Sequence, residues 1–105
     1  MSAVIALSER VELQTRQTIT DGSGGQQFLW NTLASVWAEI RPSSFTTGTR
    51  IGGTTTRRFV KVFIRNRSDL VLPIQVIWKE KNLNVLGFRA HKPGFMELEC
   101  EETLQ

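Results

Sequence analysis

The chain has 105 residues, 40% of them hydrophobic and 22% charged, and a formal net charge of +3. That length predicts one domain with one modest core, about two-thirds of the unfolded surface being buried. No apolar run approaches the roughly 20 residues of a membrane-spanning helix. One cysteine, Cys100, excludes an internal disulfide framework. The short apolar start, Met1 to Leu7, lacks the basic flank and cleavage site of a secretory signal.

The elements read mostly as strands. Glu9 to Gln17 alternates, with Val11 and Leu13 on one face and Glu12 and Gln14 on the other. Asp21 to Gly25 is a turn of residues that tolerate positive φ. Phe28 to Ile40 follows with an even-numbered apolar row of Phe28, Trp30, Ala34, Val36, Ala38 and Ile40. Its odd face carries Leu29, Leu33 and Trp37. Pro42 is expected to end this strand. Residues 43–58 hold almost nothing apolar beyond Phe45 and Ile51, so they read as a long flexible loop between strands 2 and 3.

Phe59 to Arg65 resumes the alternation with Val60, Val62 and Ile64, and Asn66 to Asp69 is a turn. Two strands fit Ile74–Lys79 and Leu83–Arg89, with Lys81-Asn82 as the tight connection between them. His91 to Gly94 turns the chain into a last strand, Phe95–Glu101. The expected fold is all-β, one domain over residues 1–105, a small antiparallel barrel or sandwich of about six strands.

No catalytic or cofactor constellation emerges, so the chain is not expected to be an enzyme. His91, the one histidine, lies in a turn with no nucleophile beside it. Metal binding would need further His, Cys or clustered Asp ligands. Asp21 and Asp69 are isolated turn residues that cap local backbone. Cys100 alternates with glutamates, which suits a packed thiol rather than a nucleophile. Glu97, Glu99 and Glu101 share one face of the last strand and read as an exposed acidic row, solvated or paired with another subunit.

Charge is unevenly distributed. Arg41, Arg50, Arg57, Arg58, Lys61, Arg65 and Arg67 fall in one stretch without a single Asp or Glu, seven of the thirteen basic residues. Such a stretch can follow a phosphate backbone or pair with an acidic neighbour. No aromatic ladder accompanies it, so any contact with nucleic acid would be non-specific. Leu29, Leu33 and Trp37 form a candidate subunit contact, with Trp37 weighted toward the core because tryptophan is highly buried on average. Glu97, Glu99 and Glu101 could meet Arg65 and Arg67 of a neighbouring copy, in which case assembly would weaken with salt.

Several segments taken in order resemble the phage head–tail joining family, which includes the head-closure or stopper proteins. They are Arg10-Val11-Glu12-Leu13-Gln14, the Asp21–Gly24 turn, Trp30, and Val36-Trp37-Ala38-Glu39-Ile40-Arg41-Pro42. Ile64-Arg65-Asn66-Arg67 and Leu98-Glu99-Cys100-Glu101 complete the set. Lys81–Gly87 departs from the family pattern in having no tyrosine. The resemblance implies a virion neck protein, assembled in the bacterial host cytoplasm, forming a ring of roughly six or twelve copies. It implies a portal or adaptor protein above, a tail terminator or tail tube protein below, and packaged double-stranded DNA in the lumen. Residues 43–58 would face that lumen, with Arg50, Arg57 and Arg58 meeting phosphate. Other readings are a tail terminator or another connector ring and, in a different class, a small basic nucleic-acid-binding barrel.

Overall fold

The computed structural model describes residues 5–50 and 53–104, with side chains described over 5–42 and 58–102. Its elements are β1 (Glu9–Thr20), β2 (Gln26–Arg50), β3 (Gly53–Arg65), β4 (Ile74–Trp78), β5 (Lys81–His91) and β6 (Phe95–Leu104). They form one closed barrel in the order β1-β2-β3-β6-β5-β4, every neighbour antiparallel.

The period-two pattern fills the interior. Val11 and Leu13 of β1, Val60, Val62 and Ile64 of β3, and Ile74 and Val76 of β4 all point inward and are buried. Leu83 and Val85 of β5 join them, with Met96, Leu98 and Cys100 of β6. Leu70 comes in from the β3–β4 connection. Full burial of one such Leu or Ile stabilises the fold by about 1.5–3 kcal/mol. Val36, Ala38 and Ile40 face this core from β2, as the even-numbered row predicts, but Phe28 does not: it is exposed, beyond a register shift at Leu33 that reverses the alternation. Phe63 points to the outer face yet is buried, with the Arg41 guanidinium 4.7 Å and the His91 ring 4.8 Å from its centroid.

β2 is 25 residues long. At about 3.3 Å per residue a straight strand of that length would reach roughly 80 Å. The molecule measures 56 Å in its longest dimension, so β2 must bend. Register shifts show where. Leu13 pairs with Ala34 but Gln14 with Thr32, leaving Leu33 as an extra residue. Pro42 pairs with Val60 but Ser44 with Phe59, leaving Ser43 as another. A third bulge falls at Leu86 of β5. Such bulges bend a strand and increase its twist, which helps a small barrel close.

The two β2 bulges divide the strand into three parts. Its middle is barrel wall. Its beginning pairs with β1 as a ribbon running out to the Asp21–Gly25 turn. Its end pairs with β3, from Ser44↔Phe59 to Arg50↔Gly53, as a second ribbon. The expected end at Pro42 therefore gives way to a strand that passes through the bulge. Proline is tolerated there because, among the described residues, β2 pairs at Pro42 with β3 alone, and edge or bulge positions do not need its N–H. The long excursion between the second and third strands is present, but its described backbone is ladder-paired rather than irregular. The two ribbons explain a radius of gyration of 15.8 Å, against about 13 Å for a compact chain of this length.

The tight β4–β5 connection lies two residues earlier than expected. Trp78 pairs with Lys81, and Lys79 and Glu80 make the turn with φ of 49° and 65°. Both values are positive, as in the type I′ turn of a two-residue hairpin.

Candidate interaction surfaces

The β1–β2 ribbon is exposed on both faces. Ile19, Phe28 and Leu29 are 41%, 57% and 47% accessible. The Arg16 guanidinium lies 4.5 Å from the Phe28 ring centroid. Asn31 donates from Nδ2 to Gln17 Oε1 across the ladder at 2.6 Å. At the tip, Asp21 Oδ1 accepts the Ser23 and Gly25 N–H groups at 2.9 and 2.8 Å, so Asp21 caps the turn as its position suggests. Gly24 has φ +86°, and a Cβ on Gly25 would stand 2.7 Å from the Asp21 carboxylate. A side chain at position 24 would be strained, and one at 25 would displace the Asp21 carboxylate that caps the turn.

Trp37 is not core. It is 52% accessible on the outer face, with the Arg10 guanidinium 5.0 Å from its ring and Arg10 Nε donating to Ser35 Oγ at 3.2 Å. Its odd-numbered position decides this: Val36 and Ala38 take the inward direction, so Trp37 must point out. Leu29 is exposed on the ribbon, whereas Leu33, the bulge residue, packs against the core.

A cleft of about 490 Å³ opens beside Trp37, lined by Leu7, Arg10, Ser35, Val36, Trp37, Arg65, Asn66 and Arg67. It lies at a fork in the sheet. Glu39 pairs with Phe63, but no β2 residue before Glu39 pairs with β3. The Asn66 N–H bonds Gly94 O at 2.9 Å, so the chain leaving β3 follows β6 and parts from β2.

The acidic row on the last strand is not an exposed row. Glu97 is only 4% accessible and accepts from Arg89 of β5, Nε at 3.0 Å and Nη2 at 2.9 Å. His91, expected in a turn, is the last residue of β5, and its Nδ1 is 4.0 Å from the other Glu97 oxygen, so it is held between Glu97 and Phe63. Glu99 and Glu101 are half-buried, and Glu99 stands opposite Lys61 in the ladder. Acidic and basic segments do meet, but within one chain, because β3 and β6 are neighbours. Arg58 Nη1 lies 3.3 Å from Glu102 Oε1 in the same ladder. Arg50 and Arg57 lie outside the residues whose side chains are described.

The remaining charges are also locally engaged. Arg67 grips Asp69 with Nε at 3.0 Å and Nη2 at 2.7 Å, so Asp69 is an ion-pair partner as well as bonding its own backbone N–H. The hydrogen bond from Arg67, with its charge, lowers the Asp69 pKa against the opposing effect of burial. Burial also pushes Glu39 upward, but the Ala6 N–H at 2.6 Å and the hydrogen bond and charge of Arg41 outweigh it and hold Glu39 below the usual range. Arg65 extends over Phe95, 5.8 Å from its centroid. Cys100 is fully buried, and desolvation first, then the Glu99 charge, pushes its thiol up to about 12.

The sequence reading named Trp37, Leu29, Arg65 and Arg67 but not Arg10, Ile19 or Phe28 as surface contacts. For Phe28 a signal was available: Gln26 to Ala38 contains neither a charged residue nor a proline.

A six-stranded closed antiparallel barrel that extends two ribbons from one long strand places the chain among small all-β domains. It belongs to the phage head completion protein family, which it matches over residues 3–103. Membership makes it a phage head–tail structural protein and a component of the virion. Its fold is similar to a chain in the virion of a native gene transfer agent particle, with a TM-score of 0.75, 15% identity and 98% of both chains covered. It is also similar to the solution structure of protein SF1141 from Shigella flexneri 2a, with a TM-score of 0.69 and 20% identity over 91% of this chain and 92% of that one. No curated protein matches the sequence.

Proposed function

We propose that the protein is the head-closure, or stopper, component of the neck, a non-enzymatic subunit that forms a ring of six or twelve copies. The ring joins the portal–adaptor complex to the tail and retains packaged DNA. The observation that carries this reading is the β2–β3 ribbon. From Ser44↔Phe59 to Arg50↔Gly53 it has seven residues per strand on β2, a reach of about 23 Å. It belongs to the stretch from Arg41 to Arg67 that lacks any carboxylate. Several copies pointing such ribbons at one axis would narrow a channel and present cations to phosphate without reading bases. Arg58 would stiffen the ribbon's base through Glu102, leaving Arg50 and Arg57 for the DNA end. A structural rather than catalytic role suits Cys100, which is buried and kept as a thiol, and His91, which is packed on Phe63.

The test shortens the ribbon without breaking the barrel. Phe45 and Arg58 are direct ladder partners, so replacing residues 46–57 with Asn-Gly should close a two-residue hairpin in register. The variant is expected to fold and enter particles, and those particles should lose DNA, measured as nuclease-accessible genome. Full genome retention by particles that contain the variant would remove the gating role. Imaging of the neck with the subunit labelled would place it in the stopper layer; a position at the tail end would make it a terminator.

A further inference from the structure

β2 changes partner between Ala38 and Glu39: every paired residue before that point bonds β1, and every one after it bonds β3. Among the described residues, no strand pairs with the second edge of β2 from Gln26 to Ala38. An edge of that kind presents a row of backbone donors and acceptors to any extended chain, and proteins usually blunt it with charge, proline or a cover. This edge carries no charged residue and no proline over thirteen positions. The cleft beside Trp37 lies where the edge meets the fork, so a strand lying along β2 would end in it.

We infer that this edge is a docking site for an extended, acidic segment of a different protein, which adds to β2 as a further strand and seats a carboxylate in the Trp37 cleft. Two observations select this occupant. The charged residues lining the cleft are Arg10, Arg65 and Arg67; Arg67 is held by Asp69, and the first two supply the complementary charge. A second copy of the chain offers no suitable segment, since every described acidic residue lies in a strand, in a tight turn, or, as Asp69, in an ion pair. The free amides and carbonyls favour peptide over nucleic acid, because backbone pairing gives affinity to an extended chain while side-chain pockets give it specificity. The site is independent of where in the neck the subunit lies.

The experiment selects peptides from a random surface-displayed library on the immobilised full chain, then maps the best binder by amide exchange. The selected peptides are expected to carry Asp or Glu and to protect amides of residues 26–38. Arg65→Glu, at an exposed position, should weaken binding about tenfold or more and be rescued by a peptide with Lys in place of its acid. Rescue separates a charge contact from a folding defect. The inference is overturned if no peptide is enriched, if the winners are not acidic, or if protection falls elsewhere. It is equally overturned if an oligonucleotide protects the same amides better, or if the edge is closed by self-association on sedimentation.

Discussion

At the scale of single residues, alternation places side chains but does not reveal what lies beside them. The position of Cys100 was legible because Met96, Leu98 and Cys100 alternate with glutamates, and all three are buried. Glu97 shares its face with Glu99 and Glu101, yet it alone is closely covered, by Arg89 and His91 from the neighbouring strand. No pattern along β6 records that neighbour. Trp37 went the other way: a residue type that is usually buried is held outward by parity. Three predictions belong at this scale. The Cys100 thiol should resist alkylation in the folded protein at pH 8 and react only on unfolding, followed by a chromogenic thiol reagent. Its raised pKa also means that the unfolded chain loses this proton from about pH 9 while the folded chain keeps it until about 12. Stability should therefore fall as pH rises through that window, and the alkaline slope should flatten in Cys100→Ala. Glu39 acts at the other end. Its folded pKa lies below the ordinary 4.5, so its contribution is present above that value and is lost as pH falls through the folded pKa. Glu39→Gln should flatten the acid limb of a denaturation-against-pH curve.

At the scale of elements, six strands and their order along the chain were readable, because each carries its own period-two run bounded by turn residues. The bulges were not. Leu33, Ser43 and Leu86 are ordinary residues, and what makes them extra is the register of the opposite strand. The same blindness hid the continuation of β2 past Pro42 and moved the β4–β5 turn. That turn supplies a prediction. Glu80 has φ 65°, a conformation that costs a non-glycine residue about 1 kcal/mol. Glu80→Gly removes this strain but enlarges the freedom of the unfolded chain. A net gain of about 0.5 kcal/mol is expected, a melting-point rise of a few degrees for a domain of this size. An unchanged or lower melting point would show that glycine's entropy outweighs the strain. Among the described residues, no third strand joins the ribbon of β1 and β2 beyond Thr15, and an isolated two-stranded ribbon is marginal in water. Amides of residues 16–30 should therefore exchange much faster than those of Val62, Ile64 and Leu98, and the difference should shrink when the protein is assembled in a particle.

At the scale of the whole molecule, the question is what force joins it to its neighbours. The uneven charge of the sequence suggested acidic and basic segments meeting between copies, and hence assembly weakened by salt. The closed barrel puts those segments side by side in one chain, where Arg58 faces Glu102 and Arg89 holds Glu97. The fold also leaves apolar side chains outside: Ile19, Phe28 and Leu29 on the ribbon, and Trp37 at its base. Covering one such side chain contributes roughly 1.5–3 kcal/mol. A contact built on several of them survives salt that screens exposed charges beyond about 10 Å. The double variant Phe28→Ser, Leu29→Ser tests this directly. Both residues are exposed in the isolated subunit, so its stability should change by no more than about 0.5 kcal/mol. Incorporation into particles should drop sharply, while raising the salt from about 0.1 to 0.5 M should leave wild-type assembly intact. Normal incorporation of the variant, together with loss of wild-type assembly in salt, would return the contact to the charged strands. It would also require Glu97 to leave Arg89, and that exchange would appear as a shift of the Arg89 side-chain resonances on assembly.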